Sequence, residues 1–109
     1  MDNVSFEDFQ KLDLRVAKIM EVEKVEGSSK LYKLTIRIGE ETRTLVAGIA
    51  EKYAEDELMG KKIIVIANLE PKELRGIESQ GMLLAAESED GQLGLLSVEN
   101  DIPDGSGIH

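Results

Sequence analysis

A chain of 109 residues has room for one domain around one core, and 41% hydrophobic with 32% charged residues is the balance of a folded domain, not a disordered one. The lack of cysteine excludes disulfides, thiolate nucleophiles and cysteine-ligated zinc and suits the cytosol; the one histidine is His109, the last residue, so histidine-based catalysis has no foothold. The net charge of -9 counts against phosphate binding, but it is unevenly spread: residues 15–43 hold seven basic and five acidic residues, 61–81 hold four and three, and 82–109 hold six acids and no base.

The elements follow in chain order. Ser5 reads as an N-cap with Asp8 three residues on and Val4 placed to staple against Phe9, so a short helix is predicted over about 5–12, with Phe6, Phe9 and Leu12 on one face. Residues 14–25 read as a strand whose alternation breaks at Ala17 and Ile19, which predicts a bulge near Lys18. Residues 26–29 turn the chain into Tyr32–Ile38, where Tyr32, Leu34, Ile36 and Ile38 alternate with polar residues as in a half-buried strand. Residues 39–41 turn into a third strand at 42–49. A helix is predicted over 50–59, with Tyr53, Ala54 and Leu58 on its stripe and Gly60 at its C-cap. A short buried strand at 63–67 follows, then a loop over 68–81 punctuated by Pro71, Gly76 and Gly81, and a fifth strand at 82–86. Asp90-Gly91 predicts a hairpin into 92–98, and a polar tail ends the chain. Strand-strand-strand-helix-strand-strand is the order of an OB-fold, a five-stranded Greek-key barrel, here all-β apart from the short N-terminal helix and the helix between strands three and four, with a C-terminal hairpin extension.

Catalytic patterns are missing: no HExxH, GxSxG, Walker or GxGxxG string occurs. Glu40 with Glu41, and Glu55 with Asp56 and Glu57, read as solvated faces. Asp90, Asp101 and Asp104 lack the spacing of a calcium loop, so neither metal nor cofactor is expected. No apolar run approaches the roughly 18 residues of a membrane span, and the four acids among residues 1–14 do not suit a signal peptide.

The informative segment is the 68–82 block, Asn-Leu-Glu-Pro-Lys-Glu-Leu-Arg-Gly-Ile-Glu-Ser-Gln-Gly-Met, a long loop between buried strands carrying cations and glycines. Together with Asp13-Leu14-Arg15-Val16-Ala17-Lys18-Ile19, Ser29-Lys30-Leu31-Tyr32 and Val46-Ala47-Gly48-Ile49, it resembles the tRNA-binding OB domain family. Such domains are found at the C-terminus of methionyl-tRNA synthetases, in free-standing structure-specific tRNA-binding proteins and in cytokine-like synthetase cofactors. The resemblance runs from about Phe6 to Pro103.

It implies tRNA contacts at Lys30, Asn68, Arg75, Ser79 and Met82, and on charge alone Lys33, Arg37 and Lys72 are secondary candidates. Each has a plainer reading: solvated lysines, loop-anchoring ion pairs, a Ser79 cap on its own loop, an Asn68 that organises backbone, and a Met82 that starts the core strand. Glu73, where family members commonly carry a base, would repel a phosphate held by Arg75, and basic residues are missing where Gly107 and His109 stand. The implied function is a non-catalytic module that holds tRNA by shape, through phosphates and 2′-hydroxyls, and assists a methionyl-tRNA synthetase, fused or separate. The resemblance also implies a homodimer, with Phe6, Phe9 and Leu12 near the interface. The alternatives are a dimerisation appendage with little tRNA affinity and a peptide-binding chaperone of the same fold. Whether the chain is an excised domain or a complete subunit is left open.

Overall fold

In a computed structural model that describes residues 1–109, five strands form one curled antiparallel sheet and two short helices flank it. The first helix, α1 (Phe6–Gln10), is capped by the Ser5 hydroxyl, which accepts from the Asp8 N–H at 3.1 Å. Val4 is 74% exposed, so the expected staple does not form. Strand β1 (Leu14–Lys24) is long enough to serve two partners. Its first half pairs with β4 (Lys62–Ile66) and its second half with β2 (Tyr32–Ile38), which in turn pairs with β3 (Glu41–Ala47). The sheet order is β3-β2-β1-β4-β7, where β7 is Met82–Leu83.

The expected bulge lies at Met20, two residues beyond Lys18, between the pairs Ile19↔Ile36 and Glu21↔Thr35. The broken alternation at 16–19 has a second cause. Ala17 and Ile63 face the core, while Val16 and Ile64, paired on the other face, are also buried. There the C-terminal third folds back: the Val16 N–H donates to the Ser106 carbonyl and the Ile64 N–H to that of Leu96. A strand covered on both faces loses the period of two.

Alternate residues of β2 (Tyr32, Leu34, Ile36) join Ile19, Leu45, Ile63 and Val65 in the core, and Leu58 plugs it. The helix expected over 50–59 is shorter, α2 (Glu55–Leu58). Its cap, Ala54, is extended (ψ 155°), and residues 49–53 form turns instead. That path brings Tyr53 to the C-terminal hairpin: its hydroxyl donates to the Leu93 carbonyl at 3.4 Å and accepts from the Leu95 N–H at 3.1 Å. The fifth strand splits at Leu84, with β7 on β4 and β8 (Ala85–Glu87) on β9 (Leu93–Leu95). No helix is long and apolar enough to cross a membrane.

Candidate nucleic-acid interface

The segment expected as an open loop at 68–81 is a hairpin, β5 (Lys72–Leu74) against β6 (Ile77–Ser79). Its turn is Arg75-Gly76, with φ of 54° and 79°. Positive φ at both central residues of a two-residue loop matches the right-handed twist of the flanking strands. Gly76 takes that conformation freely; Arg75 is the only non-glycine residue of the chain that does.

Register assigns the hairpin two unlike faces. Directly opposed residues share a face and successive residues alternate, so the pairs Lys72↔Ser79 and Leu74↔Ile77 lie on one side and Glu73↔Glu78 on the other. The first side turns toward the barrel, where Lys72, Leu74 and Ser79 join Val46, Leu69 and Met82 around a groove of about 170 Å³. Glu73 and Glu78 do not line it, although Glu70 does.

The hairpin is fastened at its base. Gln80 and Thr44 exchange two bonds: the Gln80 N–H donates to the Thr44 carbonyl at 2.8 Å and the Thr44 N–H to the Gln80 side-chain oxygen at 3.1 Å. The Val46 N–H donates to the Ser79 hydroxyl at 3.0 Å, which donates to the Gly81 carbonyl at 3.3 Å. Arg43, paired with Glu41, donates to the carbonyls of Ala67 and Gln80, one at each end of the hairpin. Arg43 and Gln80 are positioning residues that sequence reasoning missed; without knowledge that β3 meets this hairpin, nothing marks them.

The expected site residues fall into three groups. Arg75 sits at the hairpin tip beside the β1–β2 turn: a Cβ placed on Gly27 would lie 3.5 Å from the Arg75 guanidinium. Lys30, exposed, belongs to that same turn, whose carbonyl accepts from the Ala50 N–H at 3.0 Å. Lys72, Ser79 and Met82 share the groove, Ser79 buried and Met82 47% exposed. Asn68 lies at the hairpin's entry and ties it to the N-terminal segment, accepting from the Asp13 N–H at 2.8 Å and donating to the Lys11 carbonyl at 2.6 Å.

Lys33 lies opposite Val46 of the groove in the β2–β3 register, whereas Arg37 stands apart. Lys33 faces Glu23 at 3.7 Å, and Arg37 sits toward the far end of β2, about 17 Å along the strand from Tyr32, with its guanidinium on both oxygens of Asp104 at 3.1 and 3.0 Å. Lys30, Lys72 and Arg75 are in no ion pair, whereas Arg15, Lys33, Arg37, Arg43 and Lys62 all are. The helix expected over 5–12 ends at Gln10; Phe6 and Phe9 on α1 and Leu12 just past its C-cap are 70%, 37% and 44% exposed, and the two rings stack at 6.3 Å.

Residues 14–107 match the family described as "Putative tRNA binding domain". The chain is 56% identical over 108 residues to the methionine–tRNA ligase of Caldanaerobacter subterraneus subsp. tengcongensis, which covers 99% of this chain and 17% of the ligase. The chain thus spans about a sixth of the length of that relative. Among solved structures it superposes on a MetRS-related protein from Pyrococcus horikoshii with a TM-score of 0.94 at 40% identity, covering 100% of both chains. The chaperone CsaA of Bacillus anthracis has the same fold, with a TM-score of 0.90 at 29% identity over 99% of this chain and 100% of that one.

Proposed function

Since this chain belongs to the "Putative tRNA binding domain" family, a non-catalytic domain, we propose that it holds tRNA by its backbone, without reading base sequence, for a methionyl-tRNA synthetase in the cytoplasm. The observation that carries this reading is the placement of the free cations. Lys30, Lys72 and Arg75, the candidate cations left without carboxylate partners, lie on the β1–β2 turn and on the β5–β6 hairpin whose tip adjoins it. An arginine at a turn tip can fork two bonds to one phosphate, and a lysine meets phosphate as a point charge. The absence of aromatic residues from 68–82 favours phosphate and 2′-hydroxyl contacts over base-edge readout. The module's service is to raise the effective concentration of tRNA at a catalytic region, in the same chain or a separate one.

The test is a salt titration of tRNA binding with two unrelated tRNAs. Three phosphate contacts give a log–log slope of roughly -2 to -3. Arg75→Ala should cost about 1–3 kcal/mol, reduce the slope by about 1, and do both equally for the two tRNAs. Wild-type affinity for the Arg75→Ala protein, with an unchanged slope, would remove the hairpin from the interface.

A second role rests on α1. Phe6 and Phe9 stack on this short helix and Leu12 follows just past its C-cap, all three exposed, and exposed apolar patches mark protein contacts. We infer that two copies of the chain meet through it, so that a dimer offers two hairpins to one tRNA.

A further inference from the structure

We propose that the groove between the β5–β6 hairpin and β3 seats one unstacked nucleobase of the bound RNA; the inference rests on the tRNA-binding reading and deepens it. Size comes first. At about 170 Å³ the groove is smaller than the roughly 300 Å³ at which pockets for drug-sized ligands begin, and it suits a single ring system. Its walls are right for a flat apolar face: Val46, Leu69, Leu74 and Met82 surround it, and a thioether makes favourable contacts with aromatic rings.

Its floor offers little to read. Ser79 is the only buried polar residue of the chain, and its hydroxyl is already engaged with Val46 and Gly81. A base held there would be gripped by apolar contact and shape, neither of which reads a base edge.

Charge says which occupant fits. The hairpin presents Lys72 toward the groove and Arg75 at its tip, and neither is in an ion pair. Its carboxylates Glu73 and Glu78 are segregated to the opposite face, leaving Glu70 as the one acid on the rim. Apolar walls flanked by cations one or two residues away match a nucleotide, whose ring is apolar on its faces and whose phosphates are anionic on either side. RNA offers such bases where loops and ends leave them unpaired.

The experiment uses the full chain with three probes: a tRNA, a short single-stranded oligoadenylate, and a fully abasic strand of the same length. Leu69→Ala and Met82→Ala change side chains that are 43% and 47% exposed, so both proteins should fold, which thermal melts would verify. Each should weaken oligoadenylate binding about fivefold, the order expected for loss of one apolar side-chain contact, and leave the salt slope unchanged. The abasic strand should bind wild type and both variants alike, and more weakly than its parent. Wild-type affinity in both variants, or an abasic strand as tight as its parent, would overturn the proposal while salt-dependent tRNA binding left the broader reading intact. Failure of the wild type to bind tRNA even at low salt would instead overturn the reading on which it rests.

Discussion

Ser79 illustrates how one residue can satisfy a motif and a structural need together. Its hydroxyl substitutes for a strand partner by accepting the Val46 N–H where β3 has no neighbouring ladder. Ser79→Ala leaves that N–H without its acceptor and should cost about 1–3 kcal/mol. Urea unfolding would register this as a lower midpoint with an unchanged m-value. Glu73 is the companion case. Adjacency in sequence suggests that it repels the phosphate held by Arg75, but register places it on the opposite face from Lys72, directly across from Glu78. Like charges in that position are destabilising. Glu73→Lys should therefore raise the melting temperature through a cross-strand pair worth roughly 0.2–1 kcal/mol. It should also tighten tRNA binding, by less than Arg75→Ala weakens it. A raised melting temperature with unchanged affinity would mean that the Glu73 carboxylate is out of reach of phosphate.

At the scale of elements, the acidic C-terminal segment has a local use that composition does not reveal. Lys62, Lys18 and Arg37 occupy adjacent positions on β4, β1 and β2, so three cations stand in a row across one face of the sheet. Asp101 bonds Lys62, and Asp104 bonds both Arg37 and the Gly39 N–H, so two carboxylates of the tail offset two of the three charges. The Arg37 hydrogen bond holds the Asp104 carboxyl below the usual aspartate range, and Lys62 does the same for Asp101.

Depressed folded-state values fix the sign of the pH response. The stabilisation is fully present above the unfolded aspartate value of about 3.9 and is lost as pH falls through the lower folded values. Hydrogen exchange at the Val16 and Gly105 amides, which bond this tail to β1, should accelerate relative to core amides in that acid range. Asp104→Asn should bring the same acceleration at neutral pH. Protection indifferent to both changes would show that the tail is held without this clasp. The hairpin itself was half legible in the sequence. Leu74 and Ile77 around Arg75-Gly76 carry the alternation of a ribbon, but Pro71 and the charged residues make the segment look like open loop, because so short a ribbon buries little of its own and depends on β3 for its place.

For the whole molecule, the exposed α1 patch sets the expected assembly. Sedimentation at micromolar concentration should give twice the 12.0 kDa of the chain, and Phe6→Asp with Phe9→Asp should shift it to monomer. A wild type that sediments as monomer would assign the patch to another partner. What the sequence determined by itself was the order of the sheet strands and the two helices, the core alternation of Tyr32–Ile38 and the family. These are encoded locally, by apolar period, turn residues and short motifs. Tertiary structure decided the rest: which cations are free, which face Glu73 occupies, and how the hairpin is fastened to β3 through Arg43, Ser79 and Gln80. Each depends on a partner far along the chain. Thr44 meets Gln80 36 residues away and Arg37 meets Asp104 67 residues away, and no local pattern specifies which distant backbone or carboxylate a side chain will meet.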